Sequence, residues 1–355
     1  MMNIREELVS HFTAGERVLV AMSGGVDSSV SAWAAKEAGC EVIGVTLQLF
    51  DTENEFWKDA EKVANYLGIE WQLADFRDYF KEDVISPYIA TYKRGETPNP
   101  CCLCNRVGKT KYLFDVMQQV GATKIVTGHY ATVEDYRGRK AIGRSNPDKD
   151  QSYYLSLIDP FHIGLMIYPL GRVEDKGVVR ALAAELGLPV AEKKDSYEAC
   201  FLEGGDYRDF VFAKIGEGKQ GNFIFHDRTL SPHRGTFHYT IGQRRGLDIS
   251  HTEPLFVKYI DTVGGDVVLS ERKNLFSSGV RLRDCVFNMK DPVIFRATAR
   301  LRHKMKDEKC SVEVHFDNRA VVLFDSPQFA PAPGQVTAVY IDNIVVLGGV
   351  VDEVF

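Results

Sequence analysis

A run of small and polar residues near the start of the chain has the composition of a phosphate-binding turn. The run, SGGVDSS at residues 23–29, follows a predicted strand (18–22) and opens a predicted helix (28–38). Gly24 and Gly25 allow the backbone to turn tightly and approach an anion. Ser28 and Ser29 place hydroxyl and amide donors at a helix N-terminus, where the dipole favours phosphate. The run therefore predicts a nucleotide cradle, and the alternative is an ordinary glycine turn capping a helix.

The type of nucleotide chemistry is narrowed by a second observation. No GxxxxGK[ST] motif occurs in the chain, so the turn is not the loop that holds ATP for attack at its outer phosphate. SGGxDS instead resembles the signature of the ATP pyrophosphatases, which cleave between the α and β phosphates and leave AMP on a substrate oxygen. The resemblance implies ATP as substrate with Mg²⁺ as its companion.

A cluster of thiols forms the second candidate site. Cys101-Cys102-Leu103-Cys104 follows a segment stiffened by prolines, TPNP at residues 97–100. We expect Cys101 and Cys104 to lie on a loop ahead of a helix that begins near Arg106. A thiol close to a helix N-terminus and to the cations of Arg106 and Lys109 is expected to have a lowered pKa and to be reactive.

Cys200 is a second reactive candidate, because lysines precede it. It lies far from Cys104 along the chain, so the two thiols can meet only through the fold. A single CxxC is a weak signal, and redox, metal-binding (structural zinc) and accidental interpretations stay open. The other cysteines lie in apolar or β-like contexts and are predicted to be packing residues: Cys40, Cys285 and Cys310.

The elements around these residues alternate in type. Strand-like runs at 18–22, 41–47 and 124–127 alternate with helical runs at 28–38, 56–67 and 106–119, and a further helical run over 173–186 stops at Gly187. This alternation predicts an α/β domain with a parallel sheet, whose ligands bind at the carboxyl ends of the strands.

The remainder of the chain predicts two smaller modules. A segment rich in Gly, Arg and His includes SPHRG (231–235) and YTIGQRRG (239–246), and from about Arg281 the pattern is alternating and β-branched, which predicts a closed β-barrel. At 355 residues the chain is expected to hold two or three domains. We divide it into a catalytic domain of the ATP-pyrophosphatase kind (1–202), a small central domain whose basic residues suit RNA binding (203–275) and a C-terminal β-barrel (276–355).

Composition sets the broad class. The chain is 45% hydrophobic and 26% charged, which is typical of a soluble globular protein, and no run approaches the ~20 apolar residues of a membrane span. The odd cysteine count of seven favours a reducing, cytoplasmic setting over a disulfide framework. The net charge of −6 gives no global sign of nucleic-acid binding, but local basic faces are candidates for RNA phosphates. They comprise Arg234, Arg244, Arg245, Arg296, Arg300, Arg302, His303, Lys304 and Lys306. A solvated basic strand face is the alternative.

Taken together, the ordered motifs resemble the tRNA-specific 2-thiouridylases, which thiolate carbon 2 of the wobble uridine. The likeness spans nearly the whole chain, from AMSGGVDS (21–28) through TPNP and Cys104-Asn105, GHYA (128–131), KDQSY (149–153), Asp195-Ser196 and Cys200-Phe201, to YTIGQRRGL (239–247). It implies an adenine-nucleotide alpha-hydrolase-like parallel-sheet domain, a small central domain and a C-terminal β-barrel.

Carried over position by position, the resemblance implies these roles. The ATP contacts would be Ala21, Met22, Ser23, Gly24, Gly25, Val26, Asp27, Ser28, Leu47 and Gly128. The target base would contact Asn99, Pro100 and Cys101, and the anticodon stem-loop would contact Lys149, Asp150, Gln151, Arg302 and His303. Asp27 and Cys104 would be catalytic, with Cys104 as nucleophile and Cys200 as persulfide carrier.

The implied chemistry explains these residue types. A uridine carbonyl oxygen is a poor leaving group, so adenylation converts it to AMP before sulfur attacks carbon 2 of uridine 34. A sulfur-donor or relay protein, or another persulfide source, would load Cys200. Cys104 would then release the sulfur by forming a disulfide bond with Cys200 or by generating hydrosulfide.

Two departures from the family pattern bear on the sulfur step. Cys101 stands where many members have Asp, and the residues before Cys200 read Ser-Tyr-Glu-Ala in place of Ser-Thr-Gly-Ile. The extra thiol raises an alternative in which Cys101, Cys104 and Cys200 hold three irons of a [4Fe–4S] cluster.

Two other functions are alternatives to this one: an amidating enzyme and a non-catalytic binding or carrier protein. An amidating ATP pyrophosphatase of the synthetase type needs an ammonia source or an amino-acid pocket, and no glutaminase-like segment is apparent. A non-catalytic RNA-binding or sulfur-carrier protein gains nothing from an intact SGGVDSS. Formation of AMP in the presence of tRNA discriminates between these classes.

Overall fold

The computed structural model of the protein describes residues 3–52, 55–146, 149–194, 200–202, 206–288, 294–315 and 317–355. The chain divides into two compact units. The first comprises residues 1–83, 102–197 and 342–346, and the second comprises residues 84–101, 198–341 and 347–355. The predicted motif Asp195-Ser196 and the three residues after it lie outside the described residues.

The first unit is built on a parallel sheet. Its strands are β1 (Arg17–Ala21), β2 (Glu41–Gln48), β3 (Glu70–Asp75), β4 (Lys124–Val126) and β7 (Met166–Ile167). They lie in the order β3-β2-β1-β4-β7, with every neighbouring pair parallel. A hairpin of β5 (Thr132–Tyr136) and β6 (Arg139–Gly143) follows β4. The parallel α/β sheet is thus confirmed.

The helices of this unit are amphipathic or fully buried, as crossover helices over a sheet must be. They are α1 (Ile4–Val9), α2 (Val26–Glu37), α3 (Trp57–Leu67), α4 (Arg77–Phe80), α7 (Thr110–Gln119), α8 (Pro160–Ile163) and α9 (Lys176–Glu185). The core includes Val18, Val20, Val30, Val126 and Leu182. Helix α2 packs against both α3 and α9, which places the start of α9 beside the residues that follow β1.

Strand order explains where a ligand can bind. The chain runs outward from β1 to β2 and β3, and later returns to the other side of β1 with β4 and β7. The crevice between β1 and β4, at their carboxyl ends, is therefore the switch point at which open α/β sheets bind ligands. Both the SGGVDSS turn and Gly128 follow these two strands.

The second unit holds a small sheet and a closed barrel. The small sheet has β8 (Gly221–Phe225), β9 (Arg228–His233), β10 (Leu255–Ile260) and β11 (Val267–Glu271), in the order β10-β11-β8-β9. The barrel strands are β12 (Phe276–Phe287), β13 (Ile294–Arg300), β14 (Glu308–His315), β15 (Arg319–Phe329), β16 (Val336–Ile341) and β17 (Ile344–Val354). Pairing of β12 with β17 closes the barrel, as predicted.

Two helices complete the second unit, α5 (Ser86–Lys93) and α10 (Tyr207–Ile215). Helix α6 (Pro100–Leu103), where the chain passes from one unit to the other, runs into a π-helical turn (Cys104–Lys109) and then α7. Across the described ranges, no helix is long and apolar enough to cross a membrane.

The placement of the first thiols differs from our expectation. Cys101 and Cys104 lie within helical turns and not on a loop ahead of a helix at Arg106. The physical reason is Pro100, which fixes φ near the helical value and lacks only an amide hydrogen that a first-turn residue cannot use, so it starts a helix six residues earlier than predicted.

Candidate functional site

As predicted, a tight turn joins β1 to the start of α2, and we call this turn, residues 23–29, the phosphate cradle after the role predicted for it. Gly24 has φ +70° and lies against the start of α3, where an added Cβ would be 3.0 Å from Cβ of Asp59. Gly25 is the N-cap residue of α2 and carries no side-chain cap. The Oγ of Ser28 accepts from the amide of Ser23 at 3.2 Å. These contacts fix the turn at the N-terminus of a helix, a position that favours anions.

The other predicted ATP residues lie at the same edge of the sheet. Leu47 is the second-last residue of β2 and is half-buried. Gly128 follows β4, and a Cβ there would lie 2.8 Å from both the carbonyl carbon of Asp27 and the amide nitrogen of Ser28. Only glycine lets the two backbones approach so closely. The structure therefore brings the SGGVDSS turn, Leu47 and Gly128 together within the first unit.

This close approach yields a first prediction. Gly128→Ala forces the backbone of residues 27–28 to shift, so we expect the free energy of unfolding to fall by about 1–3 kcal/mol and ATP binding to weaken. Denaturant titration and isothermal calorimetry measure the two effects. Gly164→Ala is the matched control, because its Cβ would meet only ordinary contacts at 3.7 Å or more. Unchanged stability and ATP affinity in Gly128→Ala would contradict the close packing described here.

Asp27 is held from two sides. Its Oδ1 accepts from the hydroxyl of Tyr130 at 2.9 Å, and its Oδ2 pairs with Nζ of Lys176 at 2.8 Å. Tyr130 is fully buried and forms reciprocal bonds with Gln151, whose Oε1 accepts from the Tyr130 amide at 3.0 Å. Neither Tyr130 nor Lys176 was singled out from the sequence. Tyr130 could have been found from the sequence because it lies in the GHYA motif (128–131), whereas Lys176 lies in none of the motifs identified.

His129 also lies beside the cradle. Burial, with the charge of Lys109, lowers the pKa of His129 to about 3. Its Nδ1 lies 2.7 Å from Oγ1 of Thr127. The imidazole is therefore neutral at physiological pH, so it does not supply a cation for phosphate.

The residues suit a magnesium nucleotide better than a dedicated metal centre. Mg²⁺ is usually bound by one or two carboxylates together with substrate phosphates. Asp27, in the first turn of α2, supplies one such carboxylate at the cradle. Within the described ranges, no three His, Cys, Asp or Glu side chains are grouped as metal ligands. Asp27 thus fits Mg²⁺ that arrives with ATP.

The predicted sulfur residues differ in exposure. Cys104, in the first unit, is buried with 6% exposure, and Asn105 beside it donates from Nδ2 to the carbonyl of Tyr154 at 3.1 Å. Near Cys104, burial and Asp83 raise the pKa of Tyr112, whose hydroxyl donates to Asp83 at 2.9 Å. Cys200, in the second unit, is exposed. The two thiols therefore differ in their access to solvent, since Cys104 is buried and Cys200 is exposed.

Phe201, the residue after Cys200, is fixed by aromatic packing within the second unit. Phe201 packs edge-on against Tyr88 with ring centroids 5.5 Å apart, and tilted against Phe210 at 5.0 Å.

Two of the three cysteines predicted to be packing residues are confirmed as such, because Cys285 and Cys310 are buried. Cys40 is half-buried, and its thiol lies 3.4 Å from the carbonyl of Thr13.

The predicted base-contact segment is anchored to the barrel. The amide of Thr97 donates to the carbonyl of Pro333 at 2.8 Å, and Glu96 pairs with Arg283 at 3.0 Å. Asn99, Pro100 and Cys101 follow this anchor and are half-buried. Their position is therefore set by the second unit, in which all three lie.

The predicted tRNA contacts of the first unit are partly enclosed. Asp150 is 4% exposed, and its Oδ1 accepts from the amide of Ser152 at 3.0 Å. Gln151 is engaged with Tyr130 as described, while Lys149 is half-buried. Asp150 is therefore largely withdrawn from solvent.

A basic pocket of about 600 Å³ lies in the second unit. It is lined by Arg208, Thr240, Ile241, Gly242, Gln243, Arg244, Arg245, Arg302 and Gln335. The guanidinium of Arg302 donates to the carbonyl of Ala330 at 2.5 Å, and His303 follows it. By contrast, Arg300 pairs with Asp307, and Arg296 with Asp325, so these two side chains already have carboxylate partners.

Comparison with known proteins agrees with this arrangement. Three family models match the chain: the tRNA methyl transferase HUP domain over residues 16–204, the tRNA methyl transferase PRC-barrel domain over 208–271, and the aminomethyltransferase beta-barrel domain over 277–351. A tRNA-specific 2-thiouridylase MnmA 2 of Caldanaerobacter subterraneus is 39% identical, covering 95% of this chain and 98% of that protein. A tRNA-specific 2-thiouridylase MnmA of Syntrophotalea carbinolica is 38% identical, covering 94% and 97%.

A solved structure has a lower similarity. The U34-tRNA thiolase NcsA from Methanococcus maripaludis, with its [4Fe-4S] cluster, is 19% identical and matches with a TM-score of 0.39 over 59% of this chain and 72% of that one. The curated relatives match nearly end to end at well above 30% identity. The chain therefore belongs to the family of tRNA-specific 2-thiouridylases.

Proposed function

We propose that this protein is a tRNA-uridine 2-sulfurtransferase. It activates O2 of uridine 34 with ATP and replaces that oxygen with sulfur, giving 2-thiouridine, AMP and pyrophosphate. The observation that carries the proposal is the SGGVDSS turn with Asp27 at the switch point of the sheet, in a chain whose relatives are 2-thiouridylases along their whole length. We expect the enzyme to work in the cytoplasm.

The first step transfers AMP to the base. The O2–Pα bond forms, the bond between Pα and the bridging oxygen breaks, and pyrophosphate leaves with the electron pair. The amides of the turn and the N-terminus of α2 hold the phosphates, while Gly128, which has no Cβ, lets the segment after β4 approach the backbone of residues 27–28. Mg²⁺, bound with ATP at Asp27, would neutralise phosphate charge.

The second step transfers sulfur. The terminal sulfur of a Cys200 persulfide attacks carbon 2, and AMP leaves with the former uridine oxygen. The Cys104 thiolate then attacks Sγ of Cys200, the persulfide bond breaks, and its electrons stay on the sulfur bound to the base. The product is a Cys104–Cys200 disulfide, which a dithiol reductant reopens before the next turnover. The exposure of Cys200 supports loading by a sulfur-donor or relay protein.

The tRNA would be held mainly by charge. The basic pocket with Arg208, Arg244, Arg245 and Arg302 supports binding of backbone phosphates of the anticodon stem-loop. His303 and Lys149 would add to this contact, with Asp150 and Gln151 touching the tRNA through the main chain or amide. Uridine 34 would leave its stack to reach Asn99, Pro100 and Cys101.

One observation favours a second sulfur route. Cys101 and Cys104 lie three residues apart in one helical stretch, as two thiolate ligands of a [4Fe–4S] cluster can. A cluster would bind hydrosulfide at an iron that no cysteine holds. Since no three His, Cys, Asp or Glu side chains are grouped as metal ligands in the described part of the chain, we favour the persulfide route.

The function and the two sulfur routes are tested together. Protein purified without oxygen is analysed for iron and acid-labile sulfide, and is then incubated with ATP, tRNA and a persulfide donor. We expect 2-thiouridine from iron-free protein, with Cys101→Ala retaining activity. Thiolation only by protein that holds about four irons per chain, and its loss in Cys101→Ala, would replace the persulfide route with the cluster. If neither the iron-free protein nor the protein that holds iron formed 2-thiouridine, the proposed function would be rejected.

A further inference from the structure

Lys176 occupies an unusual position for a cation. It is the first residue of α9, and its Nζ lies 2.8 Å from Oδ2 of Asp27, which itself stands in the first turn of α2. The Lys176 side chain is 13% exposed, and its Nζ is 5.9 Å from the ring centroid of Tyr130. The ammonium group is thus held at the side of the phosphate cradle within the first unit.

The local electrostatics oppose this placement. A helix N-terminus carries a partial positive charge, so a lysine in the first turn is disfavoured there, and the nearby start of α2 adds a second positive pole. Asp175, the N-cap residue, already accepts from the amide of Gly177 at 3.0 Å, so Lys176 is not needed to complete the start of the helix. The ammonium of Lys176 and the two helix N-termini thus lie together beside the cradle, and Asp27 is a carboxylate partner of that ammonium. Such a concentration of positive charge suits a polyanion.

We propose that Lys176 is the cation that neutralises the departing pyrophosphate. Without nucleotide, the ammonium neutralises Asp27. When ATP binds, Nζ exchanges this carboxylate for the β and γ phosphates, and Asp27 becomes available to Mg²⁺. As the bond between Pα and the bridging oxygen breaks, negative charge builds on pyrophosphate, and Lys176 stabilises it without transferring a proton. This inference rests on the adenylation step of the proposed function.

The main alternative is a purely structural ion pair that fixes α9 on α2. The two roles differ in which ligands they affect. A leaving-group cation contacts pyrophosphate and ATP but not AMP, which lacks the outer phosphates. A structural pair, when broken, distorts the whole cradle and weakens binding of AMP and pyrophosphate together.

The test is therefore calorimetric binding of inorganic pyrophosphate and of AMP to the full chain in magnesium buffer. For Lys176→Met we expect the pyrophosphate Kd to rise roughly 10-fold or more, with the AMP Kd unchanged within about twofold. Lys176→Arg, which keeps the charge, should recover part of the pyrophosphate affinity. Lys140→Met is the matched control, because Lys140 pairs with Asp135 on the exposed hairpin.

Turnover gives the second readout. We expect tRNA-dependent AMP formation by Lys176→Met to fall by about 10²-fold, as for loss of one charge-stabilising group. Pyrophosphate affinity equal to wild type, or a parallel loss of AMP and pyrophosphate binding, would overturn the inference. If wild-type protein formed no AMP with tRNA yet bound pyrophosphate through Lys176, the proposed function would fail while the assignment of Lys176 stood.

Discussion

Asp27→Ala abolishes tRNA-dependent AMP formation, with an expected loss of at least about 10³-fold, because two effects coincide. The substitution removes the carboxylate in the first turn of α2 that we assign to Mg²⁺. It also leaves the ammonium of Lys176 without its 2.8 Å partner in a largely buried position. The measurement is release of radiolabelled AMP from ATP with saturating tRNA and no sulfur source.

Folding must be separated from chemistry in this variant. Asp27→Asn is the conservative variant, because it retains an oxygen that can accept from Tyr130. Asp135→Asn, on the exposed hairpin, is the control. We expect Asp27→Asn to unfold close to wild type and still to form little AMP, while Asp135→Asn keeps full activity. AMP formation by a folded Asp27→Asn at the wild-type rate would refute the role given to this carboxylate.

Cys200→Ser stops thiolation and leaves adenylation intact. Thiolation stops because the serine hydroxyl cannot carry a persulfide. Adenylation continues because the cradle, Leu47 and Gly128 lie in the first unit, whereas Cys200 lies in the second. We expect 2-thiouridine to fall below detection, at least about 10²-fold, by mass spectrometry of digested tRNA. AMP should still form on the same sample.

Two comparisons sharpen that result. Cys40→Ser changes a half-buried thiol far from any predicted role and should thiolate normally. Cys104→Ser should also stop 2-thiouridine release when no dithiol is present, but with tRNA retained on Cys200 through an S–S bond to carbon 2, a covalent adduct that denaturing gels detect. Thiolation by Cys200→Ser at more than a few per cent of the wild-type rate would eliminate the persulfide path through this residue.

The cradle and the barrel were predictable because their signals are local. Glycines beside a strand end, followed by Asp27 and serines, specify a tight turn and a helix start without any tertiary information. Alternation of apolar residues specified the barrel strands in the same way. Helix α9 was predicted over 173–186 and lies at Lys176–Glu185, since Gly187 with φ +63° ends it.

Other features depend on partners distant in sequence. Strand β3 is short and mostly exposed, so EWQLAD gave little strand signal, and pairing with β2 decides its state. The helical start at Pro100 was hidden because proline was interpreted as a stiff loop residue and not as the first residue of a helix. The contacts of Tyr130 and Lys176 with Asp27 span more than a hundred residues of chain. The contact between Lys176 and Asp27 forms because α9 packs against α2.

The division into 1–202, 203–275 and 276–355 stays a prediction, as do the individual roles of the tRNA-binding and cysteine residues. Their tests share one premise, namely that ATP activates the base itself. A folded chain that cleaved ATP without modifying uridine would leave every later step without a substrate.

The most direct measurement of that premise follows one oxygen atom. The complete thiolation reaction is run in ¹⁸O-water, and the AMP formed is examined by mass spectrometry together with the yield of 2-thiouridine. If O2 of uridine attacks Pα, the new oxygen on AMP comes from tRNA, and AMP stays unlabelled in step with 2-thiouridine formation. AMP that carries ¹⁸O at the enrichment of the water would mean that ATP is hydrolysed and not used to activate the base, and would contradict the account.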